Sequence, residues 1–113
     1  MHELGIIMNV VETVEDIARQ NGLSTVQTLV LQVGELSPVI PHYIQECYPA
    51  AVDGTLLQET ELKIEIIPAE GICKECSEHF TILPNKGRCP HCGSNQWHLL
   101  RGKEFLIKEI LAC

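Results

Sequence analysis

Two Cys-x-x-Cys pairs, twelve residues apart, constrain this 113-residue chain more than any other feature. A Cys-x-x-Cys turn holds one side of a tetrahedral metal ion, and the intervening segment returns the second pair to the other side. Four thiolates fill the coordination shell of zinc and leave no position for water or substrate. The spacing therefore predicts a closed, structural zinc site formed by Cys73, Cys76, Cys89 and Cys92.

The same motif leaves other ligand and metal choices open. Iron in a rubredoxin-type site uses a similar spacing, but the segment here has only Phe80 and Trp97 as aromatic residues, which favours zinc. His91 lies inside the second pair and is an alternative ligand, although four thiolates already complete the shell. Gly93 follows the second pair and permits the left-handed backbone that such turns often need. Residues 79–83 and 96–100 are short enough to form strands of a zinc ribbon.

Composition and charge restrict the cellular setting and the partners. No stretch approaches the ~20 apolar residues of a membrane helix, and no basic segment followed by an apolar run opens the chain. We therefore expect a cytoplasmic protein, with cysteines that bind metal and do not form disulfides. Residues 1–68 carry ten acidic residues against Arg19 and Lys63, so nucleic-acid binding by this part is disfavoured.

The first half of the chain predicts two helices and one strand. An apolar stripe at spacings of three and four predicts a helix over residues 3–21, with Asn21-Gly22 as its stop. The stripe consists of Leu4, Ile7, Met8, Val11, Val14 and Ala18, and acidic residues including Glu3 lie off it. Residues 25–33 predict a strand covered on both faces. A second helix is expected over 41–52, opened by Pro41 and kinked or divided by Pro49.

The second half completes the expected fold. Residues 62–66 alternate apolar and polar side chains and predict a half-buried strand, and residues 105–111 predict the last strand. Since a single strand leaves its backbone unpaired, we expect the three strands to share one sheet. The fold class is α+β: a small mixed sheet with two helices, plus an inserted four-cysteine zinc-ribbon-like module. The predicted domains are 1–69 together with 97–113, and the inserted 70–96.

The N-terminus carries a second candidate metal site. Met1 and His2 offer three nitrogen donors in sequence: the α-amine, the His2 amide and the His2 imidazole. Nickel(II) and copper(II) favour such nitrogen-rich tetragonal sites, whereas zinc rarely binds in this way. Glu3 has an alternative role, because a carboxylate in the first turn complements the helix dipole. That dipole repels a cation, so we expect a bound metal on extended residues before the helix.

Together these features resemble the HypA/HybF family of hydrogenase maturation nickel chaperones. The resemblance covers the full length and rests on Met1-His2-Glu3, Val33-Gly34-Glu35-Leu36, the strands at 61–67 and 103–110, and the paired cysteine motifs. It implies a nickel-binding α/β domain with an inserted zinc domain. It also implies Met1, His2 and Glu3 as nickel ligands, and structural zinc on Cys73, Cys76, Cys89 and Cys92. His98 would complete the nickel shell if the zinc module folds back toward the N-terminus.

The resemblance further implies that nickel(II) is cargo. Its expected partners are a HypB-type GTPase and the large subunit of [NiFe]-hydrogenase, with urease maturation as a client in some organisms. Pro49, Cys47 and Cys113 depart from the family pattern; we interpret Cys47 as a buried small residue and Cys113 as a terminal thiol.

Two rival functions use the same cysteines. A zinc-ribbon module that binds nucleic acid or transcription proteins would rely on Lys74, Lys86 and Arg88, but the chain has little aromatic surface for stacking. A thiol redox enzyme needs one Cys-x-x-Cys at a helix start, not two matched pairs. No Ser/His/Asp grouping, phosphate-binding glycine loop or paired carboxylates stand out, so we expect a protein that is not an enzyme.

Overall fold

A computed structural model describes residues 2–112 of the chain. In chain order the elements are α1 (His2–Gln20), β1 (Thr28–Gly34), α2 (Pro41–Val52), β2 (Glu61–Ile67), β3 (Glu70–Cys73), β4 (His79–Thr81), β5 (Trp97–Arg101) and β6 (Phe105–Leu111). Within this part of the chain the strands form two three-stranded sheets, ordered β2-β1-β6 and β4-β3-β5. The α+β fold class expected from the sequence is confirmed.

The described residues divide into two compact units. The first unit contains the residues up to Gln32, Val39–Glu65 and the residues from Leu106 onward. The second unit contains Val33–Pro38 and Ile66–Phe105, and therefore all four paired cysteines. None of the helices in residues 2–112 has the length and hydropathy needed to cross a membrane.

Helix α1 follows the predicted stripe in part. Ile7, Val11, Val14 and Ala18 are buried, as expected. Met8 is 53% exposed, so the prediction that it lies on the buried stripe was wrong. Met8 follows Ile7 directly and therefore lies ~100° away from it around the helix axis. The buried face extends the other way, through Val10 and, against expectation, Glu3. The spacing 3-7-10-14 brings Glu3 onto this face, because residues three and four apart share one side of a helix.

The end of α1 has the predicted glycine stop. Gly22 has a φ of +67°, the left-handed conformation that closes many helices. The N–H of Leu23 donates to the Ala18 carbonyl at 2.8 Å, and the N–H of Gly22 donates to the Arg19 carbonyl at 3.3 Å. These two bonds help to satisfy the carbonyls of the last helical turn. Asn21-Gly22 is therefore the C-terminal stop that the sequence predicted.

The first sheet unites the three predicted strands, with β1 in the centre. At the start of β1, Gln27 N–H donates to Leu111 of the last strand, and at its end Gly34 N–H donates to Glu104. The pairing runs in opposite directions, so β1 and β6 are antiparallel. Residue 27 is hydrogen-bonded to residue 61, and residue 35 is hydrogen-bonded to residue 67. The residue numbers increase in the same direction along both strands, so β1 and β2 are parallel. The sheet is mixed, as predicted.

Helix α2 has the predicted bounds and begins with Pro41 in its first turn. Pro49 lies inside the helix and the helix is continuous, so Pro49 does not divide it; a kink at Pro49, the other expected outcome, stays a prediction. A proline at position 49 removes the bond to the carbonyl of Gln45, and both residues are exposed. Water can therefore satisfy the freed carbonyl. Cys47 is buried and free, as expected, whereas Cys113 lies outside the described residues.

The second sheet is antiparallel and is built on a strand that the sequence pattern did not indicate. β3 pairs with β4 on one side and with β5 on the other. The two ribbon strands expected at 79–83 and 96–100 are confirmed as β4 and β5. Because β5 pairs with β3, residues 97–101 join the cysteine-bearing sheet, although the predicted domain division assigned them to the first domain. The second unit is accordingly longer than the predicted insertion 70–96.

Three segments of the second unit come together with almost no space between their backbones. The N–H of Leu36 donates to the Gly102 carbonyl at 2.7 Å, and the N–H of Ala69 donates to Glu35 Oε1 at 2.8 Å. A methyl group on Gly102, whose φ is +122°, would lie 2.5 Å from Cα of Ala69. A methyl group on Gly34 would overlap the Gly102 carbonyl. Glycine is required at both positions, since any Cβ would meet backbone atoms.

Candidate metal centre

The four paired cysteines lie on two turns with the same backbone geometry. After Cys73, the N–H of Ser77 donates to the Cys73 carbonyl at 2.9 Å. After Cys89, the N–H of Gly93 donates to the Cys89 carbonyl at 2.8 Å. Each bond closes a turn that directs both thiols of its pair to one side. The two turns are therefore matched knuckles, one following β3 and one in the loop before β5.

The residue after each knuckle has a left-handed backbone. Gly93 has a φ of +77°, which confirms the role predicted for it. Ser77, at the equivalent position of the first knuckle, has a φ of +62° and was not singled out from the sequence. The sequence does contain an indication of this conformation, because Ser77 follows Cys76 just as Gly93 follows Cys92. A residue with a Cβ in this conformation carries strain that glycine does not.

The thiols converge on one point. All four Sγ atoms lie within 4.8 Å of one another. Cys73 Sγ is 3.5 Å from Cys92 Sγ, and Cys76 Sγ is 3.5 Å from Cys89 Sγ. Zinc–sulfur bonds of about 2.3 Å in a tetrahedron separate the sulfurs by about 3.8 Å. The donor type, number and spacing therefore fit a tetrahedral zinc ion, and within residues 2–112 this is the cluster that could hold a metal.

The surroundings of the thiols are partly apolar and supply hydrogen bonds to sulfur. Cys73 and Cys89 are each 2% exposed and belong to a small core with Ala69, Phe80 and Ile82. The N–H of Glu75 donates to Cys73 Sγ at 3.4 Å. This core includes Trp97 of β5 at its edge, and Trp97 Nε1 donates to the Gly87 carbonyl at 3.0 Å. The ribbon strands thus pack directly beside the four clustered thiols.

The thiol pKa values differ sharply within one knuckle. The pKa of the Cys73 thiol is lowered from 9.0 to about 7, mainly by a hydrogen bond from the backbone N–H of Cys76. Burial raises the pKa of the Cys76 thiol to about 12. Since a metal binds thiolates, loading the centre must displace the proton held by Cys76. Metal affinity is therefore expected to fall as the pH is lowered.

The histidines considered as ligands lie outside this cluster. His91 is exposed between the two cysteines of the second knuckle and is not among the clustered donors. His98 is an exposed residue of β5 in the second unit. The thiol cluster is complete without either side chain.

The predicted nickel ligands lie at the start of the first unit. His2 is exposed and is already the first residue of α1, so among the described residues no extended segment precedes the helix. The expectation of a metal held on such a segment is not met by His2, because the helix begins there. Glu3 is only 7% exposed. Met1, the third predicted ligand, lies outside the described residues, and the nickel site stays a prediction.

Comparison with known proteins identifies the family. A family model described as "Hydrogenase/urease nickel incorporation, metallochaperone, hypA" matches residues 1–112. The chain belongs to the HypA family. The resemblance drawn from the sequence is therefore confirmed, and the family is one of nickel metallochaperones for hydrogenase maturation.

Curated HypA-family relatives match almost end to end. The hydrogenase maturation factor HypA of Dechloromonas aromatica is 38% identical over 110 residues, which is 97% of each chain. HypA of Rhizobium leguminosarum bv. viciae is 36% identical over 110 residues, again 97% of each. The hydrogenase maturation factor HybF of Klebsiella pneumoniae is 33% identical over 110 residues and 97% of each. The family assignment thus covers both units of the structure.

Two solved HypA structures share the fold. The solution structure of the nickel metallochaperone HypA from Helicobacter pylori superposes with a TM-score of 0.67 at 20% identity, over 97% of this chain and 96% of that one. A second HypA solution structure superposes with a TM-score of 0.73 at 22% identity, over 100% of this chain and 97% of that one. At this level of identity the likeness supports the α+β fold.

Proposed function

We propose that this chain is a nickel metallochaperone that carries Ni(II) to the large subunit of [NiFe]-hydrogenase and holds one structural zinc. The observation that carries the proposal is the HypA-family match over residues 1–112, which includes both the N-terminal motif and the four-cysteine centre. Such a protein binds and transfers a metal ion without catalysing a reaction. Its working place is the cytoplasm, where reduced thiols remain available to metal.

Zinc is assigned to Cys73, Cys76, Cys89 and Cys92. Their thiolates would complete a tetrahedral shell, which is the coordination of structural and not catalytic zinc. The unit around them has a core of only a few buried side chains, so the metal would supply much of its folding free energy, ~10–16 kcal/mol in small zinc peptides. We propose zinc binding as the role of the second unit and nickel binding as the role of the first.

Nickel is assigned to the α-amine of Met1 and to the amide and imidazole of His2. Amine and amide close a five-membered chelate ring, and amide and imidazole close a six-membered one. Nickel(II) favours this tetragonal nitrogen set. The exposure of His2 supports the assignment, since cargo must be reachable by a receiving protein. Because few ligands come from this chain, a partner can replace the donors one at a time.

Glu3 and His98 are secondary candidates for the nickel shell. Glu3 is buried within the first unit while His2 is exposed, so the two side chains do not share one exposed surface. Ligation by Glu3 would require its carboxylate to leave that environment, and its burial favours a role in closing the first turn of α1. His98 is exposed and free to serve as a ligand if the second unit reaches the N-terminus.

The proposed partners follow from the family. A HypB-type GTPase would exchange nickel with the first unit, and the hydrogenase large subunit would receive it; urease maturation is a further client class. The acidic first part of the chain, with ten acids and two bases over residues 1–68, suits a basic partner surface and not nucleic acid.

A nickel titration tests the nickel site. Zinc-loaded protein with its native N-terminus is titrated beside His2→Ala and beside a version with a few residues added before Met1. His42→Ala is the matched control, because His42 is an exposed histidine at the start of the other helix. We expect one nickel bound by the native protein and by the control, and none at this site in the two N-terminal variants. Equal binding by all four proteins would contradict the proposal.

The same titration at two pH values tests the donor type. Free α-amines titrate near pH 7.7–8.0 and imidazoles near pH 6.5, so protons compete with nickel around neutrality. We expect nickel binding that is sharply weaker at pH 6 than at pH 8. Nickel titrations of Glu3→Gln and of His98→Ala at pH 8 show whether these secondary candidates bind nickel in addition to the Met1–His2 chelate. Equal affinity at the two pH values would place the ligands elsewhere.

A further inference from the structure

The four thiols of the metal centre differ in their access to solvent. Cys73 and Cys89 are each 2% exposed, and Cys76 is partly buried. Cys92 is exposed. A small electrophile that arrives from solvent therefore meets one thiolate of the centre first. Metal-bound cysteines are all thiolates, so exposure decides which one reacts first, and the first reaction is expected at Cys92.

Two short Sγ–Sγ distances join thiols of different knuckles. Cys92 Sγ lies 3.5 Å from Cys73 Sγ, and Cys89 Sγ lies 3.5 Å from Cys76 Sγ. The first distance joins the outer cysteines of the two pairs, and the second joins the inner cysteines. Once Cys92 is oxidised, Cys73 is placed to attack it, because the two Sγ atoms lie 3.5 Å apart. The geometry therefore allows a disulfide that joins the two knuckles.

We propose that the four-cysteine centre is a peroxide-oxidation site, entered at Cys92 and completed by a Cys73–Cys92 disulfide that releases the metal. In the first step the Cys92 thiolate attacks one oxygen of hydrogen peroxide, the O–O bond breaks, and Cys92 sulfenic acid and hydroxide form. In the second step the Cys73 thiolate attacks that sulfur and expels a second hydroxide. Two electrons pass from the two thiolates to one peroxide.

Loss of the metal follows from the loss of donors. The disulfide removes two of the four thiolates, and the remaining pair, Cys76 and Cys89, cannot fill a tetrahedral shell. The same disulfide joins the two segments that the metal would hold, so it keeps the knuckles together after release. A second equivalent of peroxide would then close Cys76–Cys89. The inference rests on zinc binding by these residues, as proposed above.

Disulfide mapping on the unmodified full-length protein tests the pairing. Zinc content is measured first; the protein then receives one equivalent of hydrogen peroxide, and a chromogenic chelator follows zinc release. Free thiols are alkylated, and peptides are analysed by mass spectrometry without reduction. We expect release of the zinc together with a Cys73–Cys92 cross-link. A Cys73–Cys76 or Cys89–Cys92 cross-link in its place, or cross-links to Cys47, would overturn the inference.

Two matched variants test the point of entry. Cys92→His and Cys89→His each keep three cysteines and one histidine, a donor set that structural zinc accepts. Only the first removes the exposed thiol. We expect zinc release by peroxide to be ~10-fold slower in Cys92→His than in Cys89→His. Equal protection by both changes would overturn the assignment to Cys92.

The two proposals fail in different ways. Protein that carries no zinc before peroxide is added contradicts the zinc assignment itself. Protein that carries one zinc and retains it at one equivalent of peroxide supports the zinc assignment and contradicts the oxidation site. The mapping uses the unmodified chain, so it decides the pairing even where a histidine variant does not fold.

Discussion

Replacing Gly102 by alanine tests the close backbone crossing in the second unit. The added methyl group would lie 2.5 Å from Cα and 2.8 Å from Cβ of Ala69, both fixed atoms near the backbone. The φ of +122° adds strain, because residues with a Cβ rarely adopt it. Strain and overpacking each lower the free energy of unfolding by ~1–3 kcal/mol. The lower entropy of the unfolded alanine chain offsets less than ~1 kcal/mol of this loss. The expected net loss of stability is about 3 kcal/mol.

The matched control is the same substitution at Gly5. Gly5 lies within α1, and a methyl group there would meet nothing within 4 Å. Because alanine is a better helix former than glycine, Gly5→Ala is expected to stabilise the protein by ~0.5–1 kcal/mol. One chemical change thus has opposite effects at two sites.

Urea unfolding of zinc-loaded protein measures both effects. The chain has a single tryptophan, Trp97, which lies in the second unit with Gly102, so its fluorescence reports that unit. Far-UV circular dichroism reports the helices of the first unit. The reasoning is refuted if Gly102→Ala unfolds within ~0.5 kcal/mol of the unmodified protein, or if Gly5→Ala is equally destabilising.

Three further predictions concern the metal, one knuckle and one buried tyrosine. Removing zinc with a chelator should abolish amide protection in β3–β5 while α1 and α2 keep theirs, as hydrogen exchange would show; uniform loss contradicts two separate units. Ser77→Gly should raise the midpoint of unfolding slightly by relieving the φ of +62°, whereas Gly93→Ser should lower it. Tyr48→Phe should cost ~1 kcal/mol in urea unfolding, since Tyr48 donates to the Thr60 carbonyl at 2.9 Å. Burial raises the Tyr48 pKa from 10.0 to about 12, so stability should fall as pH rises through this interval, and less steeply in the phenylalanine variant.

Elements with strong local signals were predicted closely. Helix α2 and strand β6 have the bounds expected from the sequence, because Pro41 marks a helix start and residues 105–111 form an apolar run rich in strand formers. β3 was missed. Its four residues contain a glycine and no clear alternation, and it exists as a strand because β4 and β5 pair with it on both sides. Pairing between distant segments leaves no signal in either segment alone.

The continuity of α2 through Pro49 shows the limit of a local rule. The rule that proline breaks a helix treats the lost hydrogen bond as uncompensated. Here Pro49 lies on the exposed side of the helix, where water replaces the missing donor. Which side of the helix position 49 occupies depends on what α2 packs against, and the sequence of the helix does not show that.

The sequence alone determined which four cysteines cluster in the candidate metal centre and the order of the main elements. Chain geometry explains this, since residue spacing decides which side chains share a turn or a helix face. Only the tertiary structure decided that Glu3 is buried while Met8 is exposed. Only the structure decided that Cys92 is open to solvent beside a buried Cys73. Burial depends on what distant segments bring to each position, and this information is spread over the whole chain.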